Sequence, residues 1–252
     1  MKKIINWKLF FILLVTCVIV SVLVLPYSLE HNSIKITPII LLVTVVQSLI
    51  MFAVVIFLGL FLSKRIGMGL PILEGVLAGK NQTKELRSIL LPSFSLGIIA
   101  GTFMFLIAIP FNKFIPEILH LETLVTTWKA LLASFYGGIA EEVLLRLFLV
   151  SLFVWIIFKI KKDKAGRPTV FGIWLSIILA AIFFGLSHLP GTAQITKLTG
   201  IIIIRAIVGN GVGGIIFGWL YWKKGLESAI IAHFSADIVL HIITPFVASF
   251  FS

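Results

Sequence analysis

An all-α, polytopic transmembrane helical bundle of about seven spans, seven or eight, is the fold this sequence predicts. Three observations predict it. Of 252 residues, 60% are hydrophobic and only 12% charged, and the mean hydropathy of +1.16 lies far above that of an ordinary soluble domain. Several apolar runs reach the roughly 20 residues that cross a bilayer. Fifteen of the 21 Lys and Arg residues sit in four short places between or before those runs. The alternating ten-residue segments of an outer-membrane barrel are absent.

Taken in order, span one runs from about Leu9 to Pro26 and span two from about Ile36 to Leu62. A weakly amphipathic piece follows through Lys80, Lys84, Glu85 and Arg87, and it suits a surface helix or loop. This region could also hide a re-entrant piece, which is why the count is seven or eight. Span three runs from about Ile89 to Pro110, and a polar connection with Glu117, His120 and Glu122 follows. Span four, from about Leu124 to Ile160, is longer than the hydrocarbon core, so it tilts or protrudes. Span five ends at His188-Leu189-Pro190-Gly191, where Pro and Gly stop a helix. Spans six and seven cover about Leu198 to Trp222 and Leu226 to Phe250. Residues 1–120 form the N-terminal spans, and residues 121–252 form the core that carries the chemistry.

The four basic places are Lys2, Lys3 and Lys8; the loop 64–87; the loop 159–167; and Lys223-Lys224. With seven spans all four lie on one side, so the N-terminus is expected in the cytoplasm. This placement also accounts for the net charge of +11 without a nucleic-acid partner. The bilayer is the expected partner. Cys17 is the single cysteine and has no internal partner for a disulfide. Met1-Lys2-Lys3 and the run after it resemble a signal peptide, but no small-x-small cleavage site follows, so a retained first span is expected. The lysine-rich start and the lack of an organelle-targeting signal fit a prokaryotic plasma membrane.

The chemistry concentrates in Ala140-Glu141-Glu142-Val143-Leu144-Leu145-Arg146. These three charges are the only ones between Ala130 and Phe158. Ionisable groups at membrane depth are costly, and so are usually paired and functional. Consecutive Glu141 and Glu142 point about 100° apart on an α-helix, so they cannot act as one bidentate pair. Glu142 and Arg146 are four apart in the favoured order. That spacing gives Glu142 a structural partner and leaves Glu141 facing a cavity, where Gly137 and Gly138 leave room. The plain alternative is a packing network of all three charges. His188 ends the phrase Phe184-Gly185-Leu186-Ser187-His188; a lone histidine there also suits an interfacial role. His233 and Asp237 share a helix face in an apolar span. Their spacing suits a metal site, a carboxylate-oriented imidazole, or a hydrogen-bonded pair with no function. His241, one turn further, is read as structural.

Gly209-Asn210-Gly211-Val212-Gly213-Gly214 fits the dinucleotide-binding string, but it lies inside a membrane span with no βαβ context. Its small residues, with Gly214 and Gly218 four apart, suit close helix packing instead. Asn210 could reach the site, and Arg205 has no assignment. Depth is the difficulty. Along straight helices Glu141 and His188 lie about 27 and 31 Å from their basic anchors, whereas His233 lies about 13 Å from Lys224. A shared site needs a tilted fourth span or a 222–225 turn sunk below the interface.

Glu-Glu-x-x-x-Arg at 141–146, Phe-x-x-x-His at 184–188 and His-x-x-x-Asp at 233–237, in this order on successive hydrophobic segments, resemble the CPBP intramembrane proteases, the CAAX prenyl protease 2 or Abi family. The resemblance implies peptide-bond hydrolysis in the membrane. It implies that Glu141 activates water with help from His188, and that His233 and the residue at 237 stabilise the tetrahedral intermediate. The prenyl-processing branch typically has asparagine where this chain has Asp237. An ionised aspartate would repel an oxyanion, so Asp237 must be protonated, orient His233 or bind a metal.

The residues permit two mechanisms. In one, Glu141 is a metal-independent base. In the other, Glu141, His188, His233 and in one variant Asp237 hold Zn²⁺, the one cofactor the residues allow. No His-Glu-x-x-His is present. The expected function is an intramembrane endopeptidase acting on a membrane-associated or prenylated-type peptide or protein. A catalytically silent membrane binding or bacteriocin-immunity protein on the same fold is the alternative. A proton-coupled transporter using Glu141 and His233 would call for matched broken helices in an internal repeat, and none is visible.

Overall fold

The structure, a computed structural model, describes residues 5–29, 34–114 and 126–245. Lys2, Lys3, Glu117, His120, Glu122 and the end of the seventh run lie outside the described residues. Seven helices are long and apolar enough to cross a membrane: Trp7–Ser28, Pro38–Ile66, Thr83–Phe111, Thr127–Ile160, Val170–Thr192, Gly200–Lys224 and Leu226–Ile243. They are called the first to seventh spans below. Among the described residues β structure is confined to one isolated bridge, Lys162 to Pro168.

The outside of the bundle is apolar. Ile39, Leu91 and Phe171 are each more than 70% exposed, and every span presents at least one large apolar side chain outward. Contiguous apolar surface on this scale requires a lipid environment, so the chain is an integral membrane protein.

The third span begins earlier than the hydropathy suggests. Lys84, Glu85 and Arg87 form its first turns rather than a separate surface piece. The amphipathic element is only the short helix Pro71–Leu77. The charged turns extend a continuous helix into the interface, and hydropathy cannot register that continuation.

Small residues bring the spans together. Ser93 and Ser228 hydroxyls meet at 2.6 Å. One and two turns on, Gly97 and Gly101 lie on the backbone of Ala232 and Ala236. The third and seventh spans are thus parallel neighbours joined by a stripe of small residues. The fifth and sixth spans pack antiparallel in the same way. A Cβ on Gly185 would lie 2.5 Å from Ile207 Cα, one on Gly214 would lie 2.6 Å from Ala181 Cβ, and one on Gly218 would lie 2.7 Å from Ile177 Cγ2. The expected packing role of Gly214 and Gly218 is what the fold uses them for.

The turn between the last two spans lies under the 67–73 loop. Leu226 N–H donates to the Gly69 carbonyl at 2.9 Å. Leu73 N–H donates to Glu227 Oε1 at 2.8 Å, so a carboxylate from the seventh span caps the helix Pro71–Leu77. Gly225 and Leu226 are buried. The depth mismatch is met by this covered turn, which starts the seventh span below other chain segments.

Candidate active site

The fourth span is π-helical on either side of Glu142, over Tyr136–Glu141 and Val143–Val150. Two consecutive glycines, poor helix formers, sit at the start of the wide turns, and such turns recur at functional sites. The rotation between Glu141 and Glu142 is therefore smaller than the α-helical 100°, but their partition stands. Glu142 is fully buried and its Oε1 is 2.8 Å from Arg146 Nη1. The Glu141 side chain is 25% exposed.

Both carboxylates meet one imidazole. Glu142 Oε1 lies 2.7 Å from His233 Nδ1, across 91 residues of sequence. Glu141 Oε2 lies 3.7 Å from His233 Nε2. Asp237 Oδ1, one turn along the seventh span, lies 3.6 Å from the same Nε2. Those last two distances exceed hydrogen-bond length.

The close approach of Asp237 and His233 to the fourth span depends on Gly137. A Cβ at that position would collide with Asp237 Oδ2 and come within 3.3 Å of His233 Nε2. Aromatic rings fix the imidazole. Phe217 stacks on it at 4.7 Å and 21°, and Phe184 meets it edge-on at 5.6 Å and 77°. The Arg146 guanidinium lies between the same two rings, 5.2 Å from Phe184 and 5.3 Å from Phe217. Its Nη2 donates to the Gly214 carbonyl at 3.3 Å. Arg146 thus ties the fourth span to the sixth.

His188 stands one ring further out. Its Nδ1 is 2.8 Å from the Phe184 carbonyl, and its ring packs on Phe184 at 4.9 Å. A carbonyl only accepts, so Nδ1 carries the proton and Nε2 of the neutral ring is an acceptor. The structure therefore brings Glu141, Glu142, Arg146, His233 and Asp237 into direct contact and links His188 to them through Phe184. His241 packs on Tyr27 at 5.9 Å. Asn210 does not join the site: its amide donates back to the Ala206 carbonyl at 2.9 Å. Phe217 escaped sequence reasoning, because one phenylalanine among 22 carries no signal.

The donor set does not fit zinc. Among the described residues no three His, Cys, Asp or Glu side chains are gathered to hold a metal ion. The set Glu141, His188 and His233 is not assembled around one point, and no step below is routed through a metal.

Residues 123–239 match the family model described as Rce1-like, type II CAAX prenyl endopeptidase. The matched stretch contains all three motifs and every residue in contact at the site. The match, just under half of the chain, supports a CPBP/CAAX protease family assignment for this stretch and, in general terms, intramembrane CAAX-type endopeptidase activity. A search of curated proteins and a search of solved structures each returned no match.

Proposed function

We propose that this protein hydrolyses a peptide bond of a membrane-associated or prenylated-type substrate, with Glu141 as the base and without a metal. The observation that carries the reading is the position of Glu141: partly exposed, one turn from the Gly137 on which Asp237 packs, and 3.7 Å from the Nε2 of a buried, ring-clamped histidine.

Glu141 takes a proton from water, whose oxygen attacks the scissile carbonyl. His188 acts through Phe184, which it packs on and which meets His233 edge-on. The carbonyl oxygen becomes an oxyanion near His233 Nε2. Since Nδ1–H is given to Glu142, a proton on Nε2 makes the ring an imidazolium, and its charge opposes the oxyanion. Asp237 in its protonated form donates a second hydrogen bond; ionised, it would repel the intermediate. The proton held by Glu141 then passes to the leaving amine as the C–N bond breaks.

The test is cleavage of quenched peptides by purified protein in liposomes, wild type beside Glu141→Gln, with and without a chelator. Activity that the variant loses and the chelator spares supports the reading. Activity lost to both overturns its metal-free part. No cleavage by the wild type, together with an unimpaired biological role for Glu141→Gln, would identify a silent binding protein.

A further inference from the structure

We propose that Glu142 is a positioning residue for the hydrolysis: its carboxylate accepts the Nδ1–H of His233 and thereby aims Nε2 into the gap between Glu141 and Asp237. The proposal rests on the proteolytic reading above. Sequence spacing assigns Glu142 to Arg146 alone, as an i, i+4 ion pair. The structure gives the same oxygen two partners, Arg146 Nη1 at 2.8 Å and His233 Nδ1 at 2.7 Å.

Three features argue that the contact is more than charge neutralisation. First, the oxygen nearest the imidazole is also the one nearest Arg146, whose guanidinium is itself held by the Gly214 carbonyl. The carboxylate is thus located, through Arg146, by the sixth span, independently of the seventh span that carries the ring. Second, Phe217 and Phe184 allow His233 only the plane in which Nδ1 faces Glu142. Third, the other ring nitrogen then points at the two carboxylates flanking the gap. A buried carboxylate that fixes the tautomer and direction of a working histidine is a recurring arrangement in hydrolases, and at metal sites a second carboxylate orients ligating histidines likewise. Without Glu142, neutral His233 could place its proton on either nitrogen, and the Nε2 lone pair or proton would no longer be specified.

A simple Glu142→Ala change would strand the Arg146 charge and could prevent folding. The decisive comparison therefore removes both charges. E142A/R146M lacks the acceptor, whereas E142Q/R146M keeps an amide oxygen able to accept from Nδ1. Both are assayed for peptide cleavage in liposomes. Wild-type and variant proteins carrying ¹⁵N-labelled histidine are compared by NMR, with His233 assigned through His233→Gln.

The expected results are an Nδ1-protonated His233 in the wild type and a kcat about 10²- to 10⁴-fold lower for E142A/R146M. KM should stay within about threefold of wild type, and E142Q/R146M should recover at least about tenfold of the lost rate. Equal rates for the two double variants, or wild-type kcat in E142A/R146M, would overturn the proposal. A wild-type His233 with Nδ1 bare would overturn it without any variant, even if neither double variant folds. If the wild type cleaves no peptide, the proteolytic reading fails and the ring-nitrogen signals alone decide whether Glu142 positions His233.

Discussion

Glu141 and Glu142, adjacent in sequence, face opposite nitrogens of a single imidazole. Glu142 Oε1 is 2.7 Å from His233 Nδ1, and Glu141 Oε2 is 3.7 Å from Nε2. One carboxylate is sealed beside an arginine and the other borders a gap. Two chemically identical side chains therefore have different expected phenotypes.

Glu141→Gln removes the base but no buried ion pair. Cleavage should fall by about 10²- to 10⁴-fold, the usual contribution of general base catalysis. Thermal unfolding in detergent should stay close to wild type. Glu142→Ala strands Arg146, which is 2% exposed, and an uncompensated buried charge costs about 3–5 kcal/mol. That variant should lose folded protein as well as activity, and size-exclusion profiles will separate the two outcomes.

Gly137→Ala should abolish cleavage, because its Cβ would displace the Asp237 carboxylate and crowd His233. Steady-state cleavage with a thermal-stability control checks this. An active Gly137→Ala would show that cleavage does not need this placement of Asp237 and His233.

The glycines of 209–214 should behave differently from one another. Nothing lies within 4 Å of a Cβ added at Gly209 or Gly211. Alanine there should be neutral or stabilising by up to about 1 kcal/mol through helix propensity. At Gly214 a Cβ would lie 2.6 Å from Ala181 Cβ, and overpacking of this kind costs about 1–3 kcal/mol. Unfolding midpoints of the three variants test whether the string is a packing seam. Equal destabilisation at all three positions would contradict that description.

Chelation should leave cleavage unchanged, since no three donors converge among the described residues. Elemental analysis of active protein, run beside the chelator titration, provides the check. Stoichiometric zinc that parallels activity would refute the expectation.

Asp163, in the exposed basic loop after the fourth span, should give that loop a pH dependence. Its carboxylate accepts from the Arg167 and Ala165 backbone N–H groups at 2.7 and 2.9 Å. The Arg167 backbone bond, with help from the Arg167 side chain and Ala165, holds its pKa below the ordinary 3.8. A depressed carboxyl stabilises the turn above that ordinary value, and the contribution is lost as pH falls through the lower, folded value. Protection of the Ala165 and Arg167 amides, measured against their intrinsic exchange rates at each pH, should fall there in wild type relative to pH 6. Asp163→Asn should show a smaller change across the same range.

Much of the architecture was legible because hydropathy is a local, additive property. Seven runs became seven spans, and the i, i+4 pair Glu142 and Arg146 formed as spaced. His233 and Asp237 share the face that their spacing predicts. The start of the third span was misplaced because charged turns at an interface lower hydropathy without ending a helix. The rotation of Glu141 against Glu142 was set by π-helical turns, which no apolar periodicity reveals.

The sequence by itself determined the polytopic all-α fold class, a span count of seven or eight and the short set of ionisable residues, since each follows from transfer costs along the chain. Only the tertiary structure decided which of those residues meet. It set Glu142 on His233 across 91 residues, gave Phe217 and Phe184 their places around the ring, and packed Asp237 against Gly137. These contacts depend on how small residues let the spans approach and on where the last turn is buried. Both are properties of several helices packed at once, and no single stretch of sequence contains them.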